Sequence, residues 1–411
     1  MEVVVTGIGL ASALGQREPS WHSLLQGKSG IRPEQPFPDF PSRPLALIGH
    51  TPISLEALTE LVVAEAVQDA GLVLPLPDSG IVIGSSRSCQ ASWEQLAKKL
   101  QTEDRGQRDF QFPIPNSQFP IPKLEHWLNT LPHYAATATA HQVGSRGPVL
   151  APMAACATGI WAIAQGFELI QSGQCQQVLA GAIEAPITPL TLAGFDKMGA
   201  LARTGSYPFD QNREGLVLGE GGAVLVLESA KSARERSVSI YGKVLGFGLT
   251  CDAYHVSTPE PGINAGLAQK GTIPQVVRNT TLASITAVKQ CLKRSHLSLK
   301  DIDYIHAHGT GTQLNDHNEA QLIEWLFPHK VPVSSTKGAT GHTLGASGAL
   351  GAAFCLMALK YQQLPPCVEL KEPAFDLDFV TTPRQGEINS VLCFSFGFGG
   401  QNAVMALGQM L

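Results

Sequence analysis

The sequence predicts an α/β protein built from two equivalent layered halves. Three observations point there. Strand patterns alternate with helix patterns along the chain. At 411 residues the chain exceeds the size at which one hydrophobic core stops growing. Each half also places a candidate reactive residue just after a strand, where open α/β sheets put their sites. The halves are expected to be 1–237 and 238–411, with the break near Ser237.

The elements follow from local pattern. Val3 to Val5 read as a buried strand that ends at Thr6-Gly7. Leu55 to Ala70 carries apolar residues at helical spacing, and Gly80 to Gly84 (GIVIG) is a short apolar strand. Phe110 to Pro122 holds four prolines, which exclude helix interior and predict an extended surface or interface loop. Helix Thr158–Gln171 and strands Gln177–Ala182 and Gly222–Leu227 complete the first half. The second half reads as strand Tyr241–Phe247, helix Leu282–Ser295, strand Tyr304–Ala307 and helix Glu319–Phe327. Strand Val331–Ser334, helix Ser347–Lys360 and strands Val391–Ser395 and Asn402–Leu407 follow.

Composition excludes several classes. A net charge of −5 gives no footprint for nucleic acid. No uninterrupted apolar run reaches about 18 residues, so no membrane span is expected. The opening MEVVVTGIG leads straight into a strand without a basic n-region, so no secretory signal is expected. Eight scattered Cys form neither a CxxC nor metal-ligand spacing. Seven read as buried free thiols in a reducing, cytoplasmic compartment. TGIGLAS lacks the third glycine and the downstream acid of a dinucleotide fingerprint. The low charged share, 15%, predicts a sizeable subunit interface.

The eighth thiol, Cys156, lies in APMAACATGIWAIAQGFELI, where a small-residue segment breaks into a helical pattern. A Cys beside the positive end of a helix is expected to favour thiolate. His308 lies in HAHGTGT, and Lys337 and His342 in STKGATGHTLGASGA. One Cys with two His and a Lys on separate glycine-rich loops implies thioester chemistry on a nucleophilic sulfur. By strand alternation His306 shares a face with His308 and would tune it.

These motifs, with VVVTGIGLASALG, PFDQNREGLVLGEGGAVLVLE, DAYHVSTP and SFGFGGQN, resemble the β-ketoacyl-acyl carrier protein synthases over nearly the full chain. The resemblance is strongest to the type II fatty-acid elongation synthases. It implies a thiolase-like, duplicated αβαβα layered fold. It implies decarboxylative Claisen condensation of an acyl chain on Cys156 with malonyl carrier protein, without cofactor or metal. It assigns decarboxylation to His308 and His342, and an electrostatic role to Lys337 with Glu319 as partner. It gives Phe398 the gate beside the nucleophile. Thr310 and Thr312 would contact the pantetheine arm, and His255 and Ser257 would lie near the malonyl site. Backbone N–H groups of Cys156 and Phe398 would form an oxyanion hole, with Gly397, Gly399 and Gly400 permitting close backbone approach. Acyl carrier protein is the implied partner, and a homodimer the implied assembly.

Three features depart from that pattern. Thr51 to Asp69 carries no Lys or Arg to meet an acidic carrier, which leaves Arg203 as a contact. Pro259 to Asn279 is longer than the usual loop. Trp93 falls, by approximate alignment, where an acyl tunnel would be bounded. Two other readings stay open at this point: a ketosynthase of a specialised polyketide-like pathway, and a non-catalytic, chain-length-setting partner subunit.

Overall fold

The computed structural model describes residues 1–103, 130–258 and 283–410. The proline-rich stretch 110–122 and the long stretch 259–279 lie outside the described residues.

In the first half, strands β1 (Val3–Ser12), β2 (Gly80–Gly84), β3 (Val149–Leu150), β4 (Gln177–Glu184) and β5 (Gly221–Ser229) pair in the order β1-β5-β4-β2-β3. In the second, β6 (Gly242–Cys251), β7 (Tyr304–His306), β8 (Pro332–Ser334), β9 (Asp378–Phe379), β10 (Ser390–Gly397) and β11 (Gln401–Gly408) pair as β6-β11-β10-β7-β8-β9. Both runs begin with two antiparallel pairings and continue with parallel ones. The duplication is therefore present in the hydrogen-bond pattern itself. β1 and β6 join the two runs over Val3 to Val5.

Helices fill the layers symmetrically. Helix α1 (Leu55–Asp69) follows β1 and packs on β1 and β5. Helix α5 (Ala283–Ser295) follows β6 and packs on β6 and β11. Between the two runs of strands, α3 (Thr158–Gln171) meets α7 (Ser347–Tyr361). Every residue of α7 from Ser347 to Leu359 is buried. With the preceding turn, Leu344–Tyr361 is long and apolar enough to cross a membrane, but 89% of it is buried inside the protein. It is a core helix, apolar all round because it has no solvent face.

Differences from the expected elements have local causes. β1 runs through Gly7 and Gly9 to Ser12, with a register shift after Val5. A Cβ on Gly9 would lie 1.9 Å from the Val62 carbonyl of α1, so glycine is what lets strand and helix touch. Helix α6 (Gln313–Leu326) starts six residues before Glu319, because its first turn is polar and shows no apolar period. Helices α2 (Gln90–Glu103) and α4 (Pro189–Lys197) have no counterpart in the expected set. The start of α4 was legible: Thr188 caps the Thr191 N–H and Pro189 occupies the first turn.

Candidate active site

Cys156 sits on the turn that enters α3. Ala155, just before it, holds φ at +47°, a costly conformation for a residue with a Cβ. Three hydrogen bonds hold the turn. Thr158 Oγ1 accepts from Ala154 N–H (2.8 Å) and donates to Ala155 O (2.6 Å), while Ser395 Oγ donates to Cys156 O (2.8 Å). Gly397 of β10 passes so close that a Cβ there would lie 2.9 Å from Cys156 N. A Cβ on Gly399 would meet nothing within 4 Å; its φ of +75° is what requires glycine, so close approach is not its role.

The structure brings Cys156, His308 and His342 together, their ligand atoms lying within 4.8 Å of one another. The two imidazole rings meet edge to face at 5.3 Å. A cavity of about 330 Å³ opens onto them, lined also by Ser257, Thr310, Thr312, Phe195, Gly397, Phe398 and Gly399. Thr310 and Thr312 pair through their hydroxyls at 2.9 Å on its wall.

Hydrogen bonds fix the tautomer of each histidine. Leu344 N–H donates to His342 Nδ1 (3.0 Å), and Ser347 Oγ lies 3.0 Å from the same nitrogen. An Nδ1 that accepts leaves the proton on Nε2. Lys337 Nζ lies 3.4 Å from His308 Nδ1 and also donates to His308 O, which gives the same result at His308. Both rings thus present Nε2–H. A metal-binding histidine needs the reverse, a bare nitrogen facing the ion and an N–H donated to an acceptor behind it. The Cys/His/His donor set therefore does not fit a metal ion.

Burial governs the protonation states. It drives His308 and His342 well below the ordinary imidazole range, and the nearby Lys337 charge adds to the effect. His306 adds a further repulsion at His308; its own Nε2 pairs with Thr336 Oγ1 at 3.2 Å. Burial also lowers Lys337. The expectation of a resting thiolate at Cys156 is overturned. Burial pushes this thiol up to about 11, outweighing the opposing Lys337 charge and the Phe398 N–H that lies against the sulfur. Desolvation of the charged form wins over the helix end.

An expected result follows. Alkylation at the Cys156 peptide by iodoacetamide should climb about tenfold per pH unit from 7 to 10, since reaction goes through the thiolate. A plateau by pH 8, read by peptide mass spectrometry, would contradict the burial argument.

Other expected placements are corrected. Glu319 makes no direct ion pair with Lys337 among the described residues, although, against the burial that lowers Lys337, its charge is the leading one that raises it. Its carboxylate instead accepts His308 N–H (2.6 Å) and Gly309 N–H (2.7 Å), so it shapes the His308 loop through the backbone. Burial raises its carboxyl to about 7 against those two bonds. His255 is exposed and lines no part of the cavity; its Nδ1 accepts the Ser257 and Thr258 N–H groups and so closes their turn. Trp93 is 42% exposed, donates to Thr130 O, and lies outside the cavity. Gln90 makes the inward contacts of that turn, donating to Thr188, Thr191 and Glu94.

Three contributors went unread in the sequence. Phe195 of α4 stacks on Phe398 with centroids 6.0 Å apart. Buried Asp316 accepts Phe209 and Thr310 N–H groups and so anchors the Thr310 loop. Glu184, at the end of β4, joins the loop after β2 to Gly345 beside His342. An acid in the first turn of α6 after a glycine-rich loop was the available signal for Asp316; the other two depend on tertiary placement.

Comparison with known proteins agrees with this geometry. Residues 55–233 match the family model for the β-ketoacyl synthase N-terminal domain, and residues 241–371 the model for its C-terminal domain. The chain belongs to the β-ketoacyl synthase family. The synthase is 33% identical to 3-oxoacyl-[acyl-carrier-protein] synthase 2 of Synechocystis sp., an alignment covering 98% of this chain and 97% of the relative. It is 31% identical to the enzyme of that name from Coxiella burnetii, covering 99% and 98%. Among solved structures it is similar to a type II polyketide ketosynthase in complex with its acyl-carrier protein and bound to a hexaketide. That match has TM-score 0.88 and 25% identity, covering 100% of this chain and 99% of the other. It is also similar to the ishigamide ketosynthase/chain length factor, with TM-score 0.83 and 27% identity over 100% and 99%. These neighbours share the layered α/β fold of the synthase, so the expected thiolase-like architecture holds.

Proposed function

We propose that the chain is a β-ketoacyl-acyl carrier protein synthase of fatty-acid synthesis, a condensing acyltransferase, with Cys156 as nucleophile and His308 and His342 as decarboxylation donors. The observation that carries the reading is the buried sulfur facing two imidazoles that are both held as Nε2–H. In the first half-reaction the Cys156 sulfur attacks the acyl thioester. The acyl C–S bond to the carrier breaks, and the thiol proton of Cys156 ends on the carrier's sulfur. The tetrahedral oxyanion takes the N–H groups of Cys156 and Phe398. Malonyl carrier protein then enters along Thr310 and Thr312 and loses CO2. The electron pair of the broken C–C bond becomes an enolate whose oxygen takes both Nε2–H groups. Its carbon attacks the Cys156 thioester, and the acyl C–S bond to Cys156 breaks. The 3-oxoacyl carrier protein departs, and the sulfur leaves as a thiolate that takes a proton from solvent. No cofactor takes part.

A catalytic reading is favoured over the chain-length-setting subunit because the nucleophile is present and built into its turn. Relatives at 31% and 33% identity carry the name 3-oxoacyl-[acyl-carrier-protein] synthase 2, which supports the reading. Exposed Arg203, at the mouth beside Glu214, serves as a carrier contact. Eight free thiols suit a cytoplasmic setting.

Neutral imidazoles set the pH behaviour of the second half-reaction. Both histidines lie well below 6.5, so malonyl decarboxylation should stay level from pH 8 down to 6. Release of CO2 that titrates away near pH 6.5 would show that the rings protonate there and so overturn the donor assignment.

The assembly we propose is a homodimer through β3. Among the described residues this strand pairs only with β2, and its Val149 and Leu150 are exposed, as is Met153 three residues before the nucleophile. An apolar open edge is a pairing surface. Leu150→Lys should convert a two-chain species to one chain by light scattering. A wild-type protein that is monomeric and fully active would contradict this.

A further inference from the structure

Arg87 follows β2 in GSSRSCQ, outside every motif quoted above. Its backbone N–H donates to Glu184 (2.9 Å), in a buried carboxylate that also takes Ser85 and Ser86 hydroxyls and the Ser86 and Gly345 N–H groups. The loop carrying Arg87 is therefore rigidly placed. Its side chain is not consumed by that network. Among the described residues the guanidinium makes no hydrogen bond or ion pair. It lies instead on the Phe195 ring, 5.6 Å from the centroid. Phe195 in turn stacks on Phe398, with centroids 6.0 Å apart and planes 26° apart.

Phe398 needs such a support. It sits between Gly397 and the pair Gly399 and Gly400, whose φ values are +75° and +73°. Glycine backbone resists rotation least of all. Backbone bonds such as Gly399 N–H to Val256 O (2.8 Å) hold the flanks, and the Phe398 ring itself rests on Phe195, which bears on the direction of its N–H. A guanidinium over the aromatic face is attracted by the ring's negative face.

We propose that Arg87 is a positioning residue for acyl transfer: it clamps Phe195 onto Phe398 and so holds the Phe398 N–H toward the sulfur and the oxyanion formed there. The inference rests on the condensing reading above. It assigns Arg87 to the first half-reaction alone, because the enolate of the second is held by His308 and His342.

The test uses Arg87→Met, which keeps the side chain's reach without its charge, and Arg87→Lys, which keeps a cation over the ring. Acylation of Cys156 is followed by intact mass with an acyl carrier protein thioester. Decarboxylation of malonyl carrier protein is followed in the Cys156→Gln background. Arg87→Met should slow acylation about tenfold or more, as expected when one oxyanion donor is misaimed. It should leave decarboxylation within about twofold, and Arg87→Lys should restore most of the acylation. Iodoacetamide alkylation of Cys156 at fixed pH, which requires no carrier, should slow in the Met variant, where the buried thiol also loses the Arg87 charge that lowers it, and recover in the Lys variant. Acylation by Arg87→Met at the wild-type rate would overturn the proposal. So would equal loss in both half-reactions, or a Lys variant as slow as Met. Failure of the wild-type enzyme to acylate at all would instead overturn the condensing reading itself.

Discussion

Cys156→Ala should abolish acyl-enzyme formation while the protein stays folded. The sulfur is the atom that bonds to the acyl carbon, and no other thiol lines the cavity. The seven remaining cysteines include only one that is exposed, Cys251. Packing tolerates the change: the side chain is small, and the turn is held by Thr158 and Ser395 rather than by the sulfur. Intact mass after incubation with an acyl carrier protein thioester checks this, with circular dichroism as the control for folding. A persistent adduct on the Ala variant would remove Cys156 from the mechanism. Cys156→Gln should behave differently. Its neutral amide mimics the acylated state, so malonyl decarboxylation should continue, or rise, while condensation stops.

His308→Ala and His342→Ala should each cut CO2 release from malonyl carrier protein by about 100- to 1000-fold, the usual cost of losing one donor to a developing oxyanion. Acyl transfer to Cys156 should fall far less, since its oxyanion is held by backbone N–H groups. Lys337→Ala should also impair turnover, because the ammonium that fixes the His308 tautomer is gone. Equal losses in the two half-reactions for either histidine variant would remove the division of labour. Single-turnover assays of each half-reaction separate these outcomes.

Cys156, His308, His342, Lys337 and Phe398 were legible because each is tied to a turn or a glycine-rich loop that the sequence spells out. The duplicated layers were legible because the strand and helix patterns repeat in the same order. What was not legible depended on burial depth. A helix start beside Cys156 suggests a thiolate, yet the fold buries the sulfur so fully that the neutral form prevails. Glu319 does act as a charge on buried Lys337, but nothing in the sequence signals that its carboxylate would also accept the His308 and Gly309 N–H groups. His255 lies in a quoted motif, yet it faces outward and closes a turn. Trp93 was placed by alignment, and Gln90, one turn earlier, takes the inward contacts. Phe195 and Arg87 carry no local signal at all; only the tertiary fold stacks them behind Phe398.

The central claim is that one sulfur carries the acyl group and the two imidazoles beside it drive its discharge. Intact-mass analysis tests it in sequence on the wild-type protein. Incubation with an acyl carrier protein thioester should add the mass of one acyl group, mapping to the Cys156 peptide. Addition of malonyl carrier protein should then remove that mass, with one CO2 released and one 3-oxoacyl carrier protein formed per acyl group lost. An adduct on another residue, or one on Cys156 that malonyl carrier protein leaves in place, would contradict the account.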